Sequence, residues 1–362
     1  MFENTFKNKK ILITGNTGFK GSWLTAWLLG LKAEVYGISI DIPTEPAMFK
    51  VLGLKDKITH YSRDIRDYAS LKEIISKIKP DFVFHMAAQP IVVTSYLEPV
   101  DTITTNVIGT TNVLEALRVV NHPCTAVIIT SDKCYDNVES VWGYKETDMI
   151  GGKDIYSGSK GAAEIIFKSY YHSFFKNTKK SNIRAVTVRA GNVIGGGDWA
   201  DFRIVKSWVN GDSVEIRSPK ATRPWQHVLE PLSGYLHVAK ELDNDLSING
   251  ESFNFGPHAE YTKTVIDLLE DLSEYWQLSQ KPSYLSNTIS EFHEAGLLKL
   301  NCDKALSYIK WLPTLDYIKL IEFTSRWYYN FYNSEENMLE FTLAQIKEYE
   351  EIALSKEIAW TA

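Results

Sequence analysis

Two short patterns in this chain have residue types and spacing that could carry chemistry. Tyr156-Ser157-Gly158-Ser159-Lys160 sets a phenol and an ammonium four residues apart, on one face of a helix. A phenol, with a reference pKa near ~10, is a poor base at neutral pH. A neighbouring cation favours the phenolate and makes it a usable general base. Upstream, a β-branched run ends in Thr130-Ser131-Asp132-Lys133. Ser131 suits hydrogen bonding to a substrate hydroxyl, and Asp132 with Lys133 forms an acid–base pair that simple hydride transfer does not need. A solvated Asp–Lys turn is the other reading of that segment, and Tyr-x-x-x-Lys alone occurs by chance in many proteins.

A third pattern gives these two a context. The apolar run Lys10–Thr14 leads into Gly15-Asn16-Thr17-Gly18-Phe19-Lys20-Gly21, and a helical pattern follows. Glycines there keep the turn tight and let backbone N–H groups and a helix N-terminus approach a pyrophosphate. The spacing is Gly-x-x-Gly-x-x-Gly rather than Gly-x-Gly-x-x-Gly, so its place between strand and helix carries the weight. Asp41 closes the next strand pattern, twenty residues past Gly21. A carboxylate there accepts from both ribose hydroxyls and repels a 2′-phosphate, which favours NAD over NADP. Asp64-Ile65-Arg66 falls where an adenine would lie, with a solvated triplet as the alternative. In His85-Met86-Ala87-Ala88-Gln89, Ala87 and Ala88 leave room for a cofactor to cross the sheet edge, and His85 reads as a buried structural histidine.

These residues must be positioned by an alternating strand–helix frame. Lys10–Thr14, Glu34–Ile40, Asp81–His85, Ala126–Thr130 and Ile183–Arg189 read as buried strands, with a short one before Asp64. Gly18–Leu31, Tyr68–Lys79, Glu98–Val120 and Tyr156–Lys176 read as helices. The expected fold class is α/β: a Rossmann-like parallel sheet with helices on both faces, plus a smaller C-terminal α/β substrate-binding domain. We place the boundary at 190, with residues 1–190 as the NAD-binding domain and 191–362 as the second, and parts of 225–255 packing back. Val100, Ile103, Val107, Leu114 and Leu117 form a 3–4-spaced stripe, read as a core face with dimer packing as the alternative. The chain has 362 residues, 44% of them hydrophobic, and a net charge of −6, which argues against dominant nucleic-acid binding. Three cysteines without metal-site spacing suggest no disulfide framework and a reducing, cytoplasmic compartment. Neither a signal-peptide pattern nor an apolar run of about 18 residues occurs, so no membrane span is expected.

Taken together, Gly15–Gly21, Ser131–Lys133 and Tyr156–Lys160 resemble the extended short-chain dehydrogenase/reductase superfamily, in its sugar-nucleotide-modifying branch. More narrowly, four stretches resemble the CDP-glucose 4,6-dehydratases: Gly15–Trp23, Thr130–Tyr135, Arg189–Ala200 and Ala221–Leu232. Lysine at 133, where most sugar-nucleotide dehydratases have Glu, belongs to that pattern. Departures are Asn16 for the usual His, Val93 for a common Arg, and Phe202, Lys206 and Ser207 in a stretch otherwise more acidic.

The resemblance implies a bound NAD and an internal redox cycle. Tyr156, supported by Lys160, takes the sugar 4-hydroxyl proton as C4 is oxidised. Lys133 is the implied base at C5, which requires it to be neutral, and Asp132 the implied acid for the departing C6 hydroxyl. Gly15, Thr17, Gly18, Phe19, Gly21, Asp41, Asp64, Ile65, Ala87 and Ala88 would line the cofactor. Gln89, Asn192, Arg223 and Trp225 would meet the nucleotide sugar, Asn192 and Arg223 at its diphosphate. Arg189 and Arg203 are weaker phosphate candidates, with a structural ion pair as the alternative for each. A homodimer through Glu98–Val120 and Tyr156–Lys176 is implied as well. The rivals are an epimerase on the same fold, which would not need Asp132 and Lys133, a dehydratase for another nucleotide sugar, and a non-catalytic NAD sensor.

Overall fold

A computed structural model describes residues 1–199, 204–216, 219–258, 263–276, 284–286 and 297–362. Strand β1 (Lys10–Thr14) has four buried residues in succession, as a parallel strand covered on both faces requires. It leads through the glycine turn into α1 (Phe19–Gly30), and β2 (Glu34–Ser39) and β3 (Thr59–Ser62) follow. Next come α2 (Tyr68–Ile78), β4 (Phe82–His85), α3 (Gly109–Val120), β5 (Cys124–Ile129), α4 (Ile155–Tyr170) and β6 (Ile183–Ala190). Residues 229–255 return to the sheet: α5 (Leu229–Asn244) packs on β5 and β6, and β7 (Ser252–Phe255) pairs with β6.

All seven strands are parallel, in the order β7-β6-β5-β4-β1-β2-β3. The order reverses at β1, which lies between β2 and β4, and a crevice opens there outside the carboxyl ends. Register brings Thr14 level with both Ile38 and His85, so the glycine turn, the end of β2 and the Ala87–Ala88 segment share one edge. One face of the sheet is covered by α2, α3 and α4. The other is covered by α1, α5 and two C-terminal helices, α6 (Tyr317–Asn333) and α7 (Met338–Ser355). Among the described residues no helix is long and apolar enough to cross a membrane.

The expected helix Glu98–Val120 is one helical run from Pro99 with a π-turn inside it. Pro99–Ile103 is α-helical, Thr104–Ile108 is a π-turn, and α3 begins at Gly109. Each π-turn adds a residue to the helical period and rotates what precedes it. Leu114 and Leu117 are buried, but Val100 is 71% exposed and Ile103 42%, so the stripe is a core face only in its second half. The next long helix closes the same way, with a π-turn at Tyr171–Phe175 after Tyr170. Strand β2 stops at Ser39, leaving Asp41 two residues beyond it.

Candidate active site

The three glycines of the turn answer to different constraints. Gly15 has φ +79° and lies so close to β4 that a Cβ would fall 2.7 Å from the Ala87 nitrogen. On Gly21 a Cβ would fall 2.2 Å from the Gly15 carbonyl, so α1 could not start there with any side chain. Gly18 is the N-cap of α1, and a Cβ would meet the protein only at 3.4 Å, leaving ligand approach as the reason for glycine. Phe19 opens the helix, half-buried against the core. The Thr17 hydroxyl donates to the Asp41 carbonyl (2.7 Å), which ties the turn to the loop after β2 and leaves the Asp41 side chain exposed beside it. Ala87 N donates to Thr14 Oγ1 (3.2 Å), holding the small residues after β4 against the same turn.

The edge is less open where an adenine was expected. Asp64 receives Arg66 through Nε (2.8 Å) and Nη2 (2.7 Å), and it also accepts from the Arg66 backbone N–H. Ile65 is buried against Gly109, and its carbonyl accepts from Asn112. The Gln89 amide is likewise engaged, donating to Thr102 Oγ1 (2.8 Å) and accepting from Ile91 N (2.6 Å). His85 is a structural residue: Nδ1 meets Thr14 Oγ1 at 2.7 Å and Nε2 meets Thr110 Oγ1 at 2.9 Å. Burial, and then the Lys160 charge, push its pKa down to about 3, so it stays neutral.

The two chemical patterns do meet. Asp154 caps α4 by accepting from Ser157 N, so Tyr156 and Lys160 fall in its first turns, both buried. Lys160 Nζ lies 5.9 Å from the centre of the Tyr156 ring, and Lys133 Nζ lies 5.7 Å from it. Ser131 caps the short turn Asp132–Cys134 by accepting from Lys133 N, and donates to Asp132 Oδ1 at 2.9 Å. Asp132 is buried, and burial raises its carboxyl above the ordinary range against the opposing pull of Lys133 and Ser131. Burial, and then the charge of Lys20, bring Lys160 down to about 8. Lys20 belongs to the glycine turn and its charge acts on both Asp132 and Lys160, a role hidden when the turn is read for its backbone alone.

Across from Asp132 stands the segment after β6. A Cβ on Gly191 would fall 3.0 Å from Asp132 Oδ2, so glycine keeps the acid accessible on that side. Val193–Ile194 pairs with Gln226–His227, and Gln226 N donates to the Asn192 carbonyl, which sets Asn192 beside Trp225. Arg223 is held by the antiparallel pairing of Thr222–Arg223 with Lys263–Thr264. The Trp225 indole N–H is buried with no hydrogen-bond partner among the described residues, a donor left available to a ligand. A shallow hollow adjoins these residues, lined by Gly191, Pro224, Gly256, Pro257, His258, Lys299 and Leu300. Arg189 is not a phosphate ligand: it is fully buried and paired with Glu164 at 2.8 Å. Arg203 and Phe202 lie outside the described residues, and Lys206 and Ser207 sit on the helix Ile204–Asn210.

A sequence model of the GDP-mannose 4,6-dehydratase family matches residues 12–323. The chain belongs to that family. It is 42% identical to a CDP-glucose 4,6-dehydratase of Salmonella typhimurium over 96% of this chain and 98% of that one. It is 24% identical to a dTDP-glucose 4,6-dehydratase of Haemophilus influenzae, covering 88% of this chain and 97% of the other. Among solved structures, a dTDP-glucose 4,6-dehydratase from Bacillus anthracis in complex with NAD superposes with a TM-score of 0.72 at 20% identity, over 89% of this chain and 96% of that one. A UDP-glucose 4-epimerase of Thermotoga maritima with UDP-glucose gives 0.74 at 21% identity, over 90% and 100%. The dehydratase family therefore shares its fold with epimerases, and only the site separates the two chemistries.

Proposed function

We propose that this protein is an NAD-dependent sugar-nucleotide 4,6-dehydratase converting CDP-glucose to CDP-4-keto-6-deoxyglucose and water. The observation that carries this reading is Lys133 at 5.7 Å from the centre of the Tyr156 ring with the buried Asp132 next to it in the chain, an acid–base pair that a 4-epimerase would not need. The likeness to the Salmonella enzyme over nearly the whole chain supports the substrate.

NAD fits the residues present: Gly15 and Gly21 admit no side chain, a Cβ on Gly18 would meet only the Gly15 carbonyl at 3.4 Å, and the Asp41 side chain is exposed just beyond β2. When bound, NAD supplies the hydride acceptor at C4 and the donor at C6. The chain's own residues move the protons. Tyr156, its phenolate favoured by Lys160, takes the proton of the 4-hydroxyl. The ketone acidifies the C5 hydrogen, and Lys133 takes it. Asp132, whose carboxyl burial pushes above the ordinary range, gives a proton to the C6 hydroxyl, which leaves as water. Lys133 then returns a proton to C5, and the proton collected at Tyr156 balances the one Asp132 gave up. Asn192, Arg223 and the Trp225 N–H hold the nucleotide end.

Mass spectrometry of the protein incubated with several sugar nucleotides tests the assignment. We expect CDP-glucose to lose the mass of one water; a C4 epimer of unchanged mass would overturn it. Cofactor choice has its own test. Asp41 should exclude a 2′-phosphate, so titration should show NAD binding well ahead of NADP, and equal binding would remove Asp41 from that role.

The assembly we propose is a homodimer. Leu97, Val100 and Ile103 are exposed just before α3, and Ile165 is exposed on α4, which packs against the Pro99–Ile103 helix. Exposed apolar residues on adjacent elements of this kind mark an association surface. Light scattering at micromolar concentration should give twice the chain mass, and Val100→Lys should return it to one.

A further inference from the structure

Helix α4 carries a third buried polar residue on the face that holds Tyr156 and Lys160. Glu164 follows Lys160 by four residues and Tyr156 by eight, and it is fully buried. Four residues donate to its carboxylate, Ser252 Oγ from 3.4 Å and three from closer. Arg189 of β6 donates through Nε at 2.8 Å and Nη2 at 3.0 Å, Thr130 Oγ1 donates at 2.6 Å, and Thr187 Oγ1 at 2.8 Å. The remaining Arg189 nitrogen, Nη1, donates to the Tyr135 hydroxyl at 2.6 Å, which passes a bond to Asn254 Oδ1 at 2.8 Å. Thr130 and Tyr135 are the residues immediately flanking Ser131-Asp132-Lys133-Cys134. Both ends of the acid–base turn thus hang from one ion pair, and that pair hangs from the helix bearing Tyr156 and Lys160.

Stability alone does not account for such a pair. A fully buried ion pair is often matched or exceeded by apolar residues of the same volume, whereas a bidentate fork fixes geometry. We infer that Glu164 and Arg189 are positioning residues that hold Asp132–Lys133 in register with Tyr156–Lys160, coupling elimination to the oxidation that precedes it. The inference rests on the roles assigned above to those four residues. Glu164 and Arg189 do not touch the sugar; they act through Thr130 and Tyr135.

Removing Glu164 or Arg189 outright leaves a buried charge unpaired and risks the fold, so single hydroxyls make the better test. Thr130→Val with Tyr135→Phe keeps volume and ion pair but releases both ends of the turn. With CDP-glucose we expect the single-turnover rise in reduced-nicotinamide absorbance to keep its wild-type rate. Water loss and deuterium exchange at C5 should fall by about 10²-fold, the scale of an ångström misplacement. Thr130→Ser should restore the Thr130 end. A crystal structure of the double variant should show Asp132–Lys133 displaced against Tyr156 by about 0.5 Å or more, with the sheet unchanged. Oxidation and elimination slowing in equal proportion, or an undisplaced turn with full activity, would overturn the inference. Should Lys133→Met still eliminate, or Tyr156→Phe still oxidise, the assigned roles themselves fall, an outcome the double variant's structure does not mimic.

Discussion

Replacing Lys133 with Met should leave the enzyme stalled after the oxidation at C4. Met keeps most of the reach of the lysine side chain and removes the amine nitrogen, which sits 5.7 Å from the centre of the Tyr156 ring. Without a base at C5, no C5–C6 alkene forms, and the hydride taken from C4 cannot pass forward to C6. Reduced-nicotinamide absorbance should therefore rise on mixing with CDP-glucose and persist, whereas the wild type should show little at steady state. Turnover should fall by about 10²–10⁴-fold, the usual range for loss of a general base. Asp132→Asn should stall at the same stage, since the acid for the C6 hydroxyl is lost while the buried site still holds a hydrogen-bonding side chain. Dehydration by Lys133→Met at near wild-type rate would take Lys133 out of the mechanism.

For Tyr156→Phe we expect the opposite signature, with no absorbance rise at all and turnover again lower by about 10²–10⁴-fold. One hydroxyl is removed from a side chain that is already buried, so the fold and nucleotide binding should be nearly unchanged. The two lysines near the ring, Lys133 and Lys160, stay in place, which isolates the phenol. Both variants lose product, but only one accumulates reduced cofactor, and that contrast separates the first proton transfer from the second. Activity within a few-fold of wild type would show that the phenol is not the base.

Much of this site was readable from the chain because its parts sit where parallel sheets place chemistry, at strand ends. Continuous apolar runs such as Lys10–Thr14 announce strands buried on both faces, and the residues after them are then conspicuous. What escaped notice obeys other rules. The π-turn at Thr104–Ile108 adds a residue while the apolar spacing on either side stays helical, so periodicity passes over it. Arg189 read equally well as a phosphate ligand or an ion pair, because its partner Glu164 lies on another element. The stripe Tyr156–Lys160–Glu164 was the available signal: a carboxylate in helical phase with two residues already singled out. Asp64 and Gln89 fit a ligand by position, but local partners that spacing does not reveal occupy them.

The glycine turn has a consequence for how this protein can change. Asn16 is fully buried, accepts from Ser39 Oγ at 2.9 Å, and occupies the space left by Gly37, where a Cβ would fall 2.3 Å from Asn16 Cγ. Positions 16, 37 and 39 therefore constrain one another. A side chain at 37 requires a smaller residue at 16, and that smaller residue strips Ser39 of its acceptor and loosens the Thr17 N–H bond to the same hydroxyl. None of the three side chains takes part in the proposed proton transfers, yet each limits what the other two can become. Re-engineering the ribose edge for a phosphorylated cofactor should leave these three alone. The accessible route runs through Asp41 and its exposed neighbours, which bear no such mutual constraint.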